Sequence, residues 1–98
     1  MVLYFVQARP SNLIKIGITA YWDARLSAIR RGNSEDVQVL RIFHGSDDEI
    51  RDLERELHSE LAGSNEHHEW FQLADSDLQA VLDRLSEGFG LIDGGQIR

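Results

Sequence analysis

The sequence predicts an α+β domain in which helices cover both faces of a small sheet. Residues 2–19 contain two strand-like apolar runs separated by a five-residue turn, which is the pattern of an antiparallel hairpin. Both runs are apolar almost throughout, as is typical of strands that are covered on both faces. Four later segments have periodic apolar residues. Three have them at helical spacing, which predicts covering helices, and one alternates as a strand does.

The hairpin begins with a strand over residues 2–7, which are rich in β-branched and aromatic types. Residues 8–12 form its turn and include the only proline of the chain. The second strand, residues 13–19, carries one lysine, Lys15, and one glycine, Gly17. A glycine inside a strand predicts either a closely approaching backbone or a bulge.

A first helix is predicted over residues 20–31, with Thr19 as its N-cap and Gly32-Asn33 at its end. Its apolar stripe consists of Trp22, Leu26 and Ile29. Arg25 projects about 70° from the middle of that stripe, at the border between core and solvent. Residues 36–44 then alternate between apolar and polar types, which predicts a third, half-buried strand.

A second helix is predicted between a capping box, Ser46 with Glu49, and Gly63. Its apolar stripe consists of Ile50, Leu53, Leu57 and Leu61. Glu54 projects about 55° from the centre of the stripe, closer to it than Glu56 and Glu60. A carboxylate at that angle is either costly or functional, because burial of a charge needs compensation.

The remaining residues complete one domain. Residues 64–68 are predicted to be a loop, and residues 69–73 a short extended segment whose aromatic side chains fill the core. A last helix is expected from Asp75 or Ser76 to residue 87, with its apolar stripe at Leu78, Val81, Leu82 and Leu85. Residues 88–98 contain four glycines and are expected to be a loosely held tail.

Composition limits the class of protein. Hydrophobic residues make up 42% of the 98 residues and charged residues 28%, an ordinary globular balance. There is no apolar run long enough for a membrane span and no segment with the pattern of a signal peptide, so neither is expected. The chain has no cysteine, which excludes disulfides and thiolate metal sites. We therefore expect a cytoplasmic protein without membrane contact.

Charge is distributed unevenly along the chain. The net charge of −7 argues against general nucleic-acid binding. Residues 1–45, however, carry six basic and three acidic side chains, whereas residues 46–98 carry four basic and fourteen acidic ones. Three arginines of the basic half, Arg9, Arg30 and Arg31, are candidate nucleic-acid contacts. Because the whole chain is acidic, a protein partner, a second copy or a metal is expected to assist any DNA binding.

Several short motifs occur in a characteristic order: Val2-Leu3-Tyr4, then Lys15-Ile16-Gly17, then a helix with Arg25, then a helix with Glu54. This order resembles that of the GIY-YIG nuclease family. The likeness is to its phage-type branch, in which Lys-Ile-Gly replaces Tyr-Ile-Gly. That branch also has a Glu-x-x-Leu-His helix followed by Glu-Trp-Phe, which correspond here to residues 54–58 and 69–71.

The resemblance covers about residues 2–75 and implies a GIY-YIG-like nuclease domain over residues 1–87. It implies a small central antiparallel three-stranded sheet flanked by helices. It also implies that the chain hydrolyses DNA phosphodiester bonds with Mg²⁺ or Mn²⁺. In such a site Tyr4, Lys15 and Arg25 are the catalytic residues and Glu54 is the metal ligand.

The chemistry of phosphodiester hydrolysis requires these residue types, irrespective of the family resemblance. It needs a deprotonated nucleophile, positive charge at the phosphate and help for the leaving oxygen. A tyrosine phenol has an ordinary pKa near 10, so Tyr4 needs the Lys15 ammonium or a metal to stabilise its phenolate. Arg25 has the fork geometry to clamp two phosphate oxygens. Glu54 is a suitable carboxylate for a hard divalent ion that keeps several waters.

The sequence also departs from the family pattern. The first motif lacks its glycine, lysine occupies the second tyrosine position, and Ile29 stands where relatives often have a polar residue. We therefore predict that Gly17, His58 and Tyr21 support the site. His58 or Tyr21 would replace the polar side chains that the family has at positions 15 and 29. The alternative function is a catalytically impaired module of the same fold that binds DNA or protein.

Other interpretations of the same residues stay open. Tyr4 is also an ordinary strand aromatic, Lys15 a snorkelling strand residue and Arg25 half of a surface ion pair. Four residues, His58, His67, His68 and Glu69, offer a zinc site, although adjacent histidines in a polar loop are a poor ligand geometry.

Overall fold

A computed structural model describes residues 1–67, 69–88 and 92–93 of the chain. Strand β1 spans Val2–Arg9, β2 spans Ile14–Thr19, α1 spans Trp22–Arg31 and β3 spans Asp36–His44. Helix α2 spans Asp47–Glu60 and is followed by a 3₁₀ turn at Ala62–Ser64, β4 at Asn65–His67 and β5 at Trp70–Phe71. Helix α3 spans Asp75–Gly88 and β6 spans Ile92–Asp93. The predicted loose tail, residues 88–98, lies mostly outside the described residues, so its character stays a prediction.

The described strands form one antiparallel sheet in the order β4-β5-β2-β1-β3-β6. Its three long strands, β2, β1 and β3, are the predicted hairpin and third strand, so the α+β fold with a central antiparallel sheet is confirmed. The sheet is wider than the three strands predicted, because three further strands of two or three residues extend its edges. Such short segments carry too few residues to show a period.

Helices cover both faces of the sheet, as the apolar hairpin predicted. On one face α1 packs its Trp22, Leu26 and Ile29 against β1 and β3. On the other face α2 and α3 pack their apolar stripes against the opposite side chains of the same strands. None of the helices in the described part of the chain has the length and apolar character that crossing a bilayer requires.

The start of α1 differs from the prediction. The helix begins at Trp22, two residues later than predicted, and Tyr21 is its N-cap. Thr19 instead uses its Oγ1 to accept a hydrogen bond from the Tyr21 backbone N–H, at 3.0 Å, which closes a turn before the helix. At the other end Gly32 has a φ of −84°, so its position does not need a glycine.

The end of α2 also differs. Its capping box, Ser46 with Glu49, is present in both directions as predicted. The helix stops at Glu60, before Gly63, because the chain tightens into the 3₁₀ turn. Part of the predicted loop over residues 64–68 is the strand β4. By contrast, the bounds predicted for β3 agree with the structure, and α3 extends only one residue further than predicted.

Position 17 has to be a glycine because a side chain packs directly against its Cα, and not because of a neighbouring backbone or a bulge. Tyr4 is the antiparallel partner of Gly17, and its ring lies over the glycine. A Cβ on residue 17 would stand 2.4 Å from the Tyr4 Oη and 2.6 Å from its Cζ. The β1–β2 pairing is regular at Gly17, and the register shifts of the described sheet lie in the β1–β3 and β4–β5 pairings. Both predicted explanations of Gly17, a closely approaching backbone and a bulge, are therefore wrong.

We expect Gly17→Ala to destabilise the protein by about 1–3 kcal/mol, because the added methyl group overpacks a buried ring that cannot move away. The melting temperature should fall by roughly 4–8 °C for each kcal/mol in a domain of this size. Gly63→Ala is the matched control, since a Cβ there has no atom within 4 Å. Equal melting temperatures for the two variants would contradict the tight contact at Gly17.

Candidate active site

The candidate site lies where the outer edge of β2 becomes open. Strand β5 pairs with β2 at Ile14 and Lys15, and the Ile16 backbone N–H donates to the Glu69 carbonyl at 3.1 Å. Past that point the pairing with β5 ends, so side chains from both faces of the sheet can meet around the edge. The predicted site residues approach this edge from four elements, β1, β2, α1 and α2.

Tyr4 comes from the centre of the sheet. Its side chain is 1% exposed and its ring packs against Trp22, with the ring centroids 5.2 Å apart. The ring runs across Gly17, so that the phenol oxygen points towards the β2 edge. There, Tyr4 Oη and Glu69 Oε2 both lie within 3.1 Å of the place where a Cβ on Gly17 would stand.

Lys15 faces the same side of the hairpin but does not pair with Tyr4 directly. Its Nζ lies 3.1 Å from Glu69 Oε1, in an ion pair whose lysine side chain is only 14% exposed. The ammonium also lies 5.4 Å from the centroid of the Trp70 ring, within cation–π distance. The predicted Tyr4–Lys15 couple is therefore indirect, with Glu69 between the two groups.

Glu54 and His58 come from α2, on the opposite face of the sheet from Tyr4. Both are half-buried, whereas Glu56 and Glu60 are exposed, as the helical angles predicted. With Glu69 they form a cluster in which one donor atom from each residue lies within 4.8 Å of the other two. The cluster brings Glu54 to the same edge that Tyr4 reaches.

Arg25 approaches from α1. Its side chain is exposed and lines a cavity of about 190 Å³ together with Lys15, Asn33 and Trp70. It is close enough for its guanidinium to lower the pKa of the Tyr4 phenol. The two cationic side chains, Lys15 and Arg25, thus share one cavity beside the tyrosine.

The environment of the site disfavours ionisation of Tyr4 and Glu54. Burial raises the pKa of the Tyr4 phenol far above its ordinary value, and the charges of Glu69 and Glu54 raise it further against the effect of Arg25. Burial also raises the pKa of Glu54. His58 opposes that shift, and a hydrogen bond and charge repulsion from Glu69 add to it. A cation bound here would stabilise the ionised forms of the two adjacent carboxylates and of the phenol.

The donor set fits a divalent ion. Two carboxylates and an imidazole are ordinary ligands for first-row metals. Ligand atoms bound at about 2.1 Å lie at most about 4.2 Å apart. Donors that already lie within 4.8 Å of one another need only small rotamer shifts to close around an ion. Glu54, His58 and Glu69 are thus the residues that would hold a metal here.

Four of the predicted site residues lie elsewhere. Tyr21 is 77% exposed and lines a separate cavity with Trp22 and Asp23. Arg9 is paired opposite Asp36 at the far end of β1, about 17 Å along the strand from Tyr4. Two further residues, Arg30 and Arg31, end α1, and the Arg30 Nη2 donates to the Val37 carbonyl at the start of β3. Their predicted contact with nucleic acid stays a prediction.

Glu69 is the residue that sequence reasoning left out of the site. It entered only in the Glu-Trp-Phe motif and in the zinc interpretation, in which it was grouped with three histidines. Of that group, His58 lies beside Glu69, whereas the side chain of His67 and all of His68 lie outside the described residues. One feature of the sequence could have identified Glu69: it directly precedes Trp70 and Phe71. Those two aromatic residues are buried as predicted, so an acidic neighbour is held close to the core.

Comparison with protein families matches residues 1–86 to the T5orf172 domain. Comparison with curated proteins and with solved structures finds no significant match. The family match covers every described element from β1 to the last turns of α3, and with it all the residues of the site.

Proposed function

The chain belongs to the T5orf172 domain family, and from that premise and the site we propose that it is a divalent-metal-dependent endonuclease that hydrolyses DNA phosphodiester bonds by a GIY-YIG-type mechanism. The domain is phage-associated and loosely connected with nuclease and DNA-binding functions. That connection supports a DNA substrate. The finer proposal, the hydrolytic mechanism, rests on the geometry of the site.

One observation carries the proposal: Glu69 links three groups that phosphodiester hydrolysis needs. Its Oε1 is paired with the Lys15 ammonium, its Oε2 lies beside the Tyr4 phenol, and its carboxyl is hydrogen-bonded to Glu54. These residues are separated by up to 65 positions in the sequence, from Tyr4 to Glu69, and belong to different layers of the fold. They meet at an open sheet edge, where an extended substrate can reach the half-buried Lys15, Glu54 and Glu69, and the buried Tyr4 lies behind them.

A bound divalent ion would supply Lewis-acid stabilisation of the phosphate and a water of lowered pKa. Among the residues of the chain, Tyr4 orients the attacking water from the buried side. Because its phenol stays protonated at neutral pH, it can accept the proton of the water only as it passes its own proton on. We propose the Glu69 carboxylate as the acceptor of that proton, because its Oε2 and the Tyr4 phenol oxygen both lie over Gly17.

The two cations act on the phosphate from the other side of the tyrosine. Arg25 is exposed, unlike the buried Tyr4, so its guanidinium is free to form two parallel bonds with phosphate oxygens. Lys15 holds Glu69 in place and adds positive charge at the same cavity. Both interactions strengthen as negative charge accumulates in the transition state.

The test is nicking of supercoiled plasmid with Mn²⁺ or Mg²⁺, against the same reaction in EDTA. We expect metal-dependent nicking by the wild type, and a loss of roughly 10²-fold in Arg25→Ala because one preorganised charge at the phosphate is removed. Arg84→Ala is the matched control, since that arginine pairs with Glu60 on the solvent side of α3. It should nick at the wild-type rate.

The alternative function, a module that binds DNA or protein without turnover, predicts a different result. It predicts a DNA mobility shift without nicking in either metal, and an Arg25→Ala variant that differs from the wild type in binding alone. That combination would replace the nuclease proposal with the binding module.

A further inference from the structure

We propose that Glu54, His58 and Glu69 form a three-ligand metal site that selects a first-row d-block ion, such as Mn²⁺, over Mg²⁺. The inference deepens the proposed function, on which it rests for the role of the ion. Sequence reasoning assigned a single metal ligand, Glu54, and left the choice between Mg²⁺ and Mn²⁺ open. Two further donors beside that carboxylate change the expected choice.

The first step is that Glu54 and His58 are neighbours on one helix face. They are four residues apart on α2, a spacing that places side chains one above the other. Both are half-buried and both line a cleft of about 370 Å³ with Arg51 and Arg55. A pair of donors at this spacing is a common way for a helix to hold a metal.

The second step is that a backbone carbonyl holds one ring nitrogen of His58 in place. His58 Nε2 lies 2.9 Å from the Ile16 carbonyl oxygen, which can only accept, so Nε2 carries the proton. Nδ1 is then the ring nitrogen left to bind a metal. The ring is also held edge-on to Phe71, with the centroids 5.0 Å apart. A backbone carbonyl that fixes the tautomer is the usual support of a metal-binding histidine.

The third step is that Glu69 is fixed at both ends. Its backbone carbonyl accepts from the Ile16 N–H, and its Oε1 accepts from Lys15. The same residue of β2, Ile16, therefore holds both His58 and Glu69 through its two backbone groups. Two of the three donors are thus positioned by one rigid strand before any ion arrives.

The fourth step is the choice of ion. Mg²⁺ requires near-ideal octahedral oxygen ligands, whereas first-row d-block ions accept imidazole nitrogen readily. One nitrogen among three protein ligands therefore disfavours Mg²⁺. Three protein ligands also leave positions open towards the cleft, which is the arrangement of catalytic and not of structural metal sites. Water or a phosphate oxygen can occupy those positions.

The experiment measures binding of Mn²⁺ to the full chain by loss of the free-ion signal in electron paramagnetic resonance, with Mg²⁺ as the competitor. We expect the wild type to bind Mn²⁺ at least tenfold more tightly than Mg²⁺. His58→Gln keeps an N–H for the Ile16 carbonyl but replaces the ligand nitrogen, and should weaken Mn²⁺ binding on the order of 10–100-fold. His44→Gln, at an exposed histidine on β3, is the matched control.

A second variant distinguishes the loss of a ligand from misfolding. Glu69→Gln keeps size and backbone contacts and should weaken Mn²⁺ binding similarly, with an unchanged far-ultraviolet circular dichroism spectrum. Equal affinity for the two ions, no binding at millimolar metal, or His58→Gln binding as the wild type would each overturn the three-ligand site. Nicking that depends on Glu54 but not on His58 would leave the proposed function intact. Selective Mn²⁺ binding without nicking would overturn the proposed function alone.

Discussion

Glu54→Gln is expected to lower plasmid nicking by about 10³-fold at saturating DNA, because loss of the ligand removes several kcal/mol of metal stabilisation from the transition state. The substitution keeps the size of the side chain, so packing against β2 is preserved. Initial rates of supercoil loss, measured over a range of Mn²⁺ concentrations, give the effect. High Mn²⁺ should restore only part of the rate, since two of the proposed ligands remain.

The same variant should not lose stability in the absence of metal. The pKa of Glu54 is raised in the folded protein, by burial first and also by Glu69, so ionised Glu54 opposes folding at neutral pH. An uncharged glutamine removes that opposition, and the melting temperature in EDTA should equal or exceed that of the wild type. A functional loss without a stability loss separates a ligand from a structural residue.

Glu56→Gln is the matched control, because Glu56 lies on the same helix but is exposed. It should retain wild-type nicking and wild-type stability. If Glu54→Gln nicks as fast as Glu56→Gln, Glu54 is not a ligand of a catalytic ion. A large fall in melting temperature for Glu54→Gln in EDTA would also contradict the charge balance described above.

Local patterns predicted the parts of the fold that repeat over several residues. The alternation in residues 36–44 and the capping box at Ser46 gave elements that agree with the structure. The same logic placed Glu54 correctly, since a helical angle depends only on the neighbouring positions. Residues 69–73 were predicted to be extended, but strand β4 and the pairing of β5 with β2 and β4 were not predicted, because segments of two or three residues show no period of their own.

The sequence could predict the relative positions of site residues only within one helix or one hairpin. The hairpin register puts Tyr4 opposite Gly17, which explains why the glycine is needed. The ion pair between Lys15 and Glu69 joins residues 54 positions apart, and no local pattern reports such a pairing. Reasoning from two strands alone therefore coupled Lys15 to Tyr4, whereas the fold inserts a carboxylate between them. With Glu69 included, the proposed chemistry changes from a phenolate base to a proton relayed through the Tyr4 phenol.

Tyr4→Phe is the variant that tests this relay. It removes only the phenol oxygen, and we expect nicking to fall by about 10²–10⁴-fold, the usual contribution of a positioned proton-transfer group. The ring that packs against Trp22 is kept, so the melting temperature should stay close to that of the wild type. Mn²⁺ affinity should also be unchanged, because the phenol oxygen is not among the three clustered donors.

Tyr21→Phe provides the matched control, because it removes the same atom from an exposed tyrosine in a separate cavity. It should nick at the wild-type rate, which would also dismiss Tyr21 as a substitute for the missing second tyrosine. If Tyr4→Phe nicks plasmid as fast as Tyr21→Phe, the proton does not travel by way of the Tyr4 oxygen. If Tyr4→Phe retains activity while Glu69→Gln loses it at saturating Mn²⁺, Glu69 takes the proton of the water directly and the tyrosine serves only to shape the edge of the site.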